Sequence, residues 1–193
     1  MMRKLFFLVC FVFVVVATEV HIGHLTNGWY PQEKNKLQKT LQELDKKAAS
    51  LYSDENTSAI KAAIVPHAGY EFSGDIAAGV YRQIKNKKRV ILLAPSHFVS
   101  FVGVALPTVK CYRTPLGLIT FNEQMMKSLA QYDYFKWNDQ PFEQDHALEV
   151  QLPFLQHYMP KCSITPLFIG HATLDQLTSI AKTLLKYIDS ETV

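Results

Sequence analysis

Val90-Ile91-Leu92-Leu93-Ala94-Pro95-Ser96-His97 is the stretch on which the fold turns. Five apolar residues in a row read as a strand buried on both faces of a parallel sheet, where helices cover each side. Pro95 ends it, because a proline has no N–H to give a ladder. A histidine then stands at the start of the next loop. The same order recurs upstream, where residues 60–65 read as a short apolar strand, Pro66 ends it and His67-Ala68-Gly69-Tyr70 follows. Ligands of α/β sheets collect beyond the carboxyl ends of the strands. If the two strands are neighbours, both imidazoles point into one crevice.

Helical patterns alternate with these strands. Leu37, Leu41, Leu44, Ala48 and Leu51 recur at spacings of four and three, the mark of an amphipathic helix. Ser73 is placed to cap a helix carrying Ile76, Ala77, Val80 and Ile84 on one face. Residues 102–106 read as a strand, and Asn122 opens a helix with Met125, Met126 and Leu129. Residues 147–159 read as a helix with Glu149 in its first turn and Pro153 kinking it or resetting its start. Residues 164–169 read as a strand whose Pro166 calls for an edge or a bulge. Thr173 caps a last helix expected to turn Leu174, Leu177, Ile180, Leu184, Leu185 and Ile188 inward. The alternation means one α/β domain over residues 18–193, a largely parallel sheet flanked by helices. A helix in this architecture leads into another strand, so the domain reads as C-terminally truncated at Val193. The polar loop at residues 53–58 is its weakest spot.

Composition narrows the function classes. Hydrophobic residues make up 48% and charged residues 19%, which excludes a disordered or fibrous chain. The net charge is +3, and no basic run is longer than Lys87-Lys88-Arg89, which argues against nucleic acid as a partner. Arg3 and Lys4 precede an apolar run over residues 5–17 that closes with Val15-Val16-Ala17, the pattern of a cleavable signal peptide spanning residues 1–17. An uncleaved anchor or a misassigned start codon is the alternative. The run is short of the roughly 20 residues a membrane span needs. The mature chain is therefore expected to lack a span and to be exported, periplasmic or secreted. Cys111 and Cys162 remain in it; neither forms a C-x-x-C pair, so no structural zinc site is expected.

Three clusters carry candidate chemistry. His67 and His97, each after a strand-ending proline, offer imidazoles that suit iron, copper, nickel or zinc; a hydrogen-bonded loop histidine is the plainer reading. Gly69 lets the backbone beside His67 turn sharply. In Asp145-His146-Ala147-Leu148-Glu149, two carboxylates four residues apart flank a third histidine at a helix start. They would either orient a metal-bound imidazole or serve as an N-terminal cap favoured by the helix dipole. His21 and His24 are expected to be solvated, and His157 and His171 to lie on the surface. Ser96 beside His97 is not a catalytic pair, because neighbours on an extended chain point to opposite sides. Phosphate-binding glycine loops are absent from the sequence. Arg113-Thr114-Pro115-Leu116-Gly117 is a turn with a cation that could meet a carboxylate or phosphate.

Six motifs stand in order: Gly28-Trp29-Tyr30-Pro31, Pro66-His67-Ala68-Gly69-Tyr70, Ala94-Pro95-Ser96-His97, Tyr112-Arg113-Thr114-Pro115, Asp145-His146-Ala147-Leu148-Glu149 with Gln151-Leu152-Pro153, and Pro166-Leu167-Phe168-Ile169-Gly170. Together they resemble the Memo family (mediator of cell motility), whose prokaryotic members are called AmmeMemoRadiSam system protein B. The resemblance covers roughly residues 25–190. It implies a fold related to the extradiol dioxygenases of the non-haem iron type, and a pocket binding Fe(II) or copper through two histidines and one cysteine. The two histidines carry over to His67 and His97; Tyr70, Ser96, Arg113, Asp145, His146 and Glu149 are candidates for the surroundings of that pocket. The function implied is metal-dependent redox or dioxygenase-like activity. A non-catalytic module for peptides or anionic, phosphotyrosine-type ligands is the alternative, and an inactive truncated member a third. Association with a radical-SAM protein is implied by the family alone. Phe98 stands where the family commonly has a second histidine, and the family's cysteine ligand falls in a C-terminal segment that this sequence does not contain. The family is usually intracellular, unlike the export expected from residues 1–17.

Overall fold

The computed structural model describes residues 20–52 and 60–193; the expected signal peptide and the polar loop at 53–58 lie outside the described residues. The first half of the order is β1 (Val20–Ile22), α1 (Lys34–Leu51), α2 (Tyr70–Ile84), β2 (Arg89–Pro95), β3 (Val104–Leu106), β4 (Cys111–Thr114) and β5 (Gly117–Thr120). Then come α3 (Glu123–Leu129), β6 (Phe135–Trp137), α4 (Gln140–Gln144), α5 (His146–Glu149), α6 (Leu152–Tyr158), β7 (Ser163–Ile169) and α7 (Leu174–Leu185). The class is α/β, with the strands in two sheets ordered β1-β4-β5 and β2-β7-β3-β6. Parallel ladders join β2 to β7, β3 to β6 and β1 to β4, while β3–β7 and the β4–β5 hairpin are antiparallel. A bridge from Phe121 to Ile164 links the two sheets. Helix α1 packs on α2, α2 on α6, and the short α5 against β2. No helix among the described residues is long and apolar enough to cross a membrane.

The apolar run at 60–65 is not a strand. Ile64 is 97% exposed, and residues 60–65 join no ladder. The edge of β2 that they would need is taken at its start by the last residues of the sequence. Ile91 N–H donates to Val193 O at 2.8 Å, Val193 N–H to Arg89 O at 3.0 Å, and Lys88 and Arg89 both donate to Glu191 O. Residues 61–65 instead run across a groove of about 460 Å³ from β2. Strand β2 stands at the end of the larger sheet, and Leu93 is half exposed, so the strand is not buried on both faces.

Proline and capping chemistry set the helix bounds. Helix α2 begins at Tyr70, ahead of the Ser73 start expected, because the carbonyl of Gly69 accepts from Phe72 and Ser73 N–H. The Ser73 hydroxyl turns back to Ala68 O, and the buried face runs through Tyr70, Ala77, Ala78, Tyr81 and Ile84, leaving Ile76 exposed. Asn122 caps α3 through Met125 N–H. Pro153 resets the chain as expected, closing off α5 and entering the first turn of α6. Thr173 and Gln176 form a capping box on α7, yet only Ile180, Thr183 and Leu184 are buried there; Leu174 and Leu185 face solvent. Pro166 lies in the central strand β7 and not at an edge. The ladder with β3 covers only Phe168 and Ile169, so that side of the strand asks no donor of Pro166.

Candidate metal centre

Two loops and the head of α5 each bring one imidazole to the same place beyond the carboxyl end of β2. Past β2, Ser96 N–H donates to Ile169 O and the Ser96 hydroxyl to Val99 O at 2.7 Å, a turn that carries His97 past the end of the sheet. His67 comes from the loop before α2, where the loop at 28–30 crosses hard against Gly69. A Cβ on Gly69 would meet Gly28 O at 2.8 Å, and Tyr70 N–H donates to Trp29 O. His146 opens α5.

Ring centroids lie 5.2 Å apart for His67–His97, 5.5 Å for His67–His146 and 5.0 Å for His97–His146. One nitrogen from each of the three falls within 4.8 Å of the other two. This separation suits donors around a common ion better than a hydrogen-bonded chain of imidazoles, since no imidazole pair is bonded directly among the described residues. The ring of Trp29 lies over His146 at 4.3 Å, and Phe98 stands edge-on to both His97 and His146. The position occupied by Phe98 thus gives the crevice an apolar rim.

Asp145 both caps a helix and holds an imidazole, that of His97. Its buried carboxylate caps α5 through Ala147 N–H at 3.0 Å, accepts His97 N–H at 2.6 Å and meets His97 Nδ1 at 3.1 Å. A carboxylate only accepts, so His97 carries its proton on Nδ1 and leaves Nε2 bare for a metal. Burial pushes the Asp145 pKa up, but the two backbone N–H groups and the His97 ring outweigh it and hold the carboxyl below its ordinary range. His146 is held below the usual histidine value, first by burial and then by the neighbouring imidazoles His97, His67 and His24, against the pull of Asp145. Its imidazole is therefore neutral and available at physiological pH.

Glu149 does something else. It is 1% exposed and does not touch the three histidines; it accepts from His24 N–H, Leu25 N–H, Tyr30 OH and Tyr112 OH at 2.7–3.0 Å, and His24 Nδ1 lies at 3.0 Å. Burial beside that carboxylate raises both tyrosine pKa values far above the phenol range. The carboxylate fastens the loop that carries Trp29, so Glu149 shapes the crevice from behind. His21 and His24 are not simply solvated, because His21 packs on Tyr112 with its Nε2 buried and His24 is bound to Glu149. Tyr70 is a core residue whose hydroxyl donates to Val150 O, and Ser96 makes its turn. Arg113 is exposed on the β4–β5 hairpin. Cys111 and Cys162 are both buried, are not joined in a disulfide and lie outside the histidine group; burial pushes the Cys162 thiol up to about 11. Sequence reasoning missed Trp29, Tyr30, Tyr112 and Gln151 as builders of the site. All four stand in the six ordered motifs without a place in the site, and only Gly69, where a side chain would strike the loop at 28–30, hints at the tight crossing there.

Comparison with known proteins shows the family of the chain. A family model described as Memo-like protein matches residues 24–193. A MEMO1 family protein of Nitrosopumilus maritimus is 30% identical over 167 residues, covering 84% of this chain and 61% of that protein. One from Caldivirga maquilingensis is 30% identical over 139 residues, 70% of this chain and 49% of its own length. Protein MEMO1 of Xenopus tropicalis is 31% identical over 68% of this chain and 47% of its own length. The chain spans about half the length of the curated relatives it matches. Matched over nearly all of its described residues, with the three histidines inside the matched span, the chain belongs to the Memo-like family.

Proposed function

We propose that His67, His97 and His146 hold a single iron or copper ion and that the crevice around it carries out metal-dependent redox chemistry, dioxygenase-like in type. The observation that carries this reading is the convergence of three imidazole nitrogens within 4.8 Å of one another. The donor set fits such an ion: imidazole suits both metals, and three protein ligands leave positions open to a substrate. An iron or copper ion bound there supplies one-electron chemistry and a cationic centre to orient an anionic group. The chain's own residues do the rest. Asp145 fixes the tautomer and angle of His97 and places a negative charge behind it. Burial keeps His146 unprotonated, so no proton has to leave before it binds. Trp29 and Phe98 wall the crevice with apolar faces that favour a planar, unsaturated substrate portion over a solvated one.

The test is metal content after anaerobic reconstitution with Fe(II) or Cu and removal of loosely held ions. One ion per chain is expected, falling to a trace in each of His67→Ala, His97→Ala and His146→Ala. A wild-type chain that retains no metal, or full occupancy in all three variants, rejects the reading.

A further inference from the structure

Of the three histidines, His67 has the least obvious support. His97 is clasped by Asp145 and His146 opens a helix, but residues 60–66 ahead of His67 belong to no strand or helix and make no backbone ladder. Among the described residues, one buried side chain gives this segment a hydrogen bond. Gln151, 4% exposed at the junction of α5 and α6, donates through Nε2 to Pro66 O at 3.0 Å, the carbonyl of the peptide that begins His67. The other end of its amide is not free to turn, because Tyr81 OH donates to Gln151 Oε1, also at 3.0 Å. Tyr81 is itself fixed, 1% exposed and stacked on Phe154 at 5.3 Å. A tyrosine hydroxyl that donates to the amide oxygen forces the NH₂ group to face Pro66, so the chain Tyr81–Gln151–Pro66 has a single direction.

We infer that Gln151 is a positioning residue that sets His67 within the imidazole group, with Tyr81 fixing the amide of Gln151; this rests on the metal-site reading above. Ser73 brackets the same histidine from the far side through Ala68 O at 3.2 Å, but from an exposed position. Gln151 is the better sheltered of the two, its bond to Pro66 O part-buried where that of Ser73 is exposed, and it is the one that acts on the peptide directly ahead of His67. Without it, the Pro66–His67 peptide is free to rotate, and the imidazole with it.

The experiment uses the whole chain with its histidine ring carbons labelled, first metal-free and then in metal titrations. In metal-free Gln151→Leu, the His67 ring resonance (assigned through His67→Ala) is expected to shift or broaden, while those of His97 and His157 stay in place. Tyr81→Phe keeps the packing, deletes only the donor, and is expected to give a smaller change of the same kind. Cu titration against a competing chelator should then show a loss of affinity of about 10–100-fold in Gln151→Leu, the range for residues that orient metal ligands. In a His67→Ala background, the same substitution should cost nothing further. An unmoved His67 resonance in both folded variants overturns the inference, as does an affinity loss that persists in full without His67. A perturbed His67 resonance in a chain that takes up no metal leaves Gln151 as the anchor of this loop and rejects the metal reading alone.

Discussion

Asp145 and Glu149 show how much one residue type can mean in two places four positions apart. Spacing puts both on one face of a helix, and the short α5 keeps them there, but the partners differ. Asp145 faces the imidazole of the loop after β2, while Glu149 faces a loop whose backbone donors are 124 and 125 residues away in sequence. Asp145→Asn keeps the size and loses half the accepting capacity, so the clasp on His97 fails at Nδ1 or at the backbone N–H. The expected outcome is a metal affinity lower by about 10–100-fold with stoichiometry still near one, measured by chelator competition. An unchanged affinity would mean that His97 needs no carboxylate to hold its angle. The sequence made His67 and His97 legible as candidate ligands, because each follows a strand-like run and a proline. It made His146 visible only as a neighbour of carboxylates. The clasp by Gln151, the Trp29 wall and the five-donor seat of Glu149 could not be read, since each depends on contacts between distant segments that leave no local pattern.

At the scale of elements, capping and proline chemistry were legible in part, failing at Ser73, Pro66 and Pro166, and strand pairing was not. Asn122 and Thr173 act locally, through bonds to residues three positions away, and Pro153 through the N–H it lacks in the first turn of α6; each works where the sequence placed it. The run at 60–65 looked like a strand because a short apolar run satisfies that pattern, whereas being a strand also requires a free neighbouring edge. The antiparallel join within the larger sheet likewise forms at a point that periodicity does not mark. Gly103 and Gly170 cross where β3 starts and β7 ends: Gly170 N–H donates to Gly103 O at 2.9 Å and Gly103 N–H to His171 O at 3.0 Å. Gly103 has φ +88°, and a Cβ on Gly170 would lie 2.3 Å from Phe101 O, a backbone atom that cannot swing aside. Gly170→Ala must therefore push the end of β7 away from the loop that leads into β3. A loss of more than about 2 kcal/mol is expected in urea unfolding, against the few tenths typical of a surface change. A neutral outcome would show that the loop at 98–102 yields without cost.

The molecule as a whole carries seven histidines on a net charge of +3, so its stability depends on how many of them folding keeps uncharged. Two lie outside the metal centre with pKa values lowered by the same cause. Burial depresses His21, which rests on the Tyr112 ring in the smaller sheet, against the opposing pull of Glu149. Burial also depresses His157 on α6, against Asp45. Both start from an unfolded value of 6.5. Below that pH the unfolded chain takes up protons that the folded chain refuses, so stability falls as pH drops from 6.5 and levels off only when the folded histidines titrate in their turn. Above 6.5 both states are neutral at these positions and the effect is absent. Replacing both imidazoles with groups that do not titrate, His21→Gln with His157→Gln, should flatten this region of the profile. The urea midpoint of the wild-type chain is expected to fall more steeply than that of the double variant between pH 7 and about pH 5. His146 shifts in the same direction but is common to both chains, so it drops out of the difference. Equal slopes would assign the acid sensitivity to groups common to both chains, His146 among them. In that event the two buried rings would be protonated in the folded state as readily as in the unfolded one.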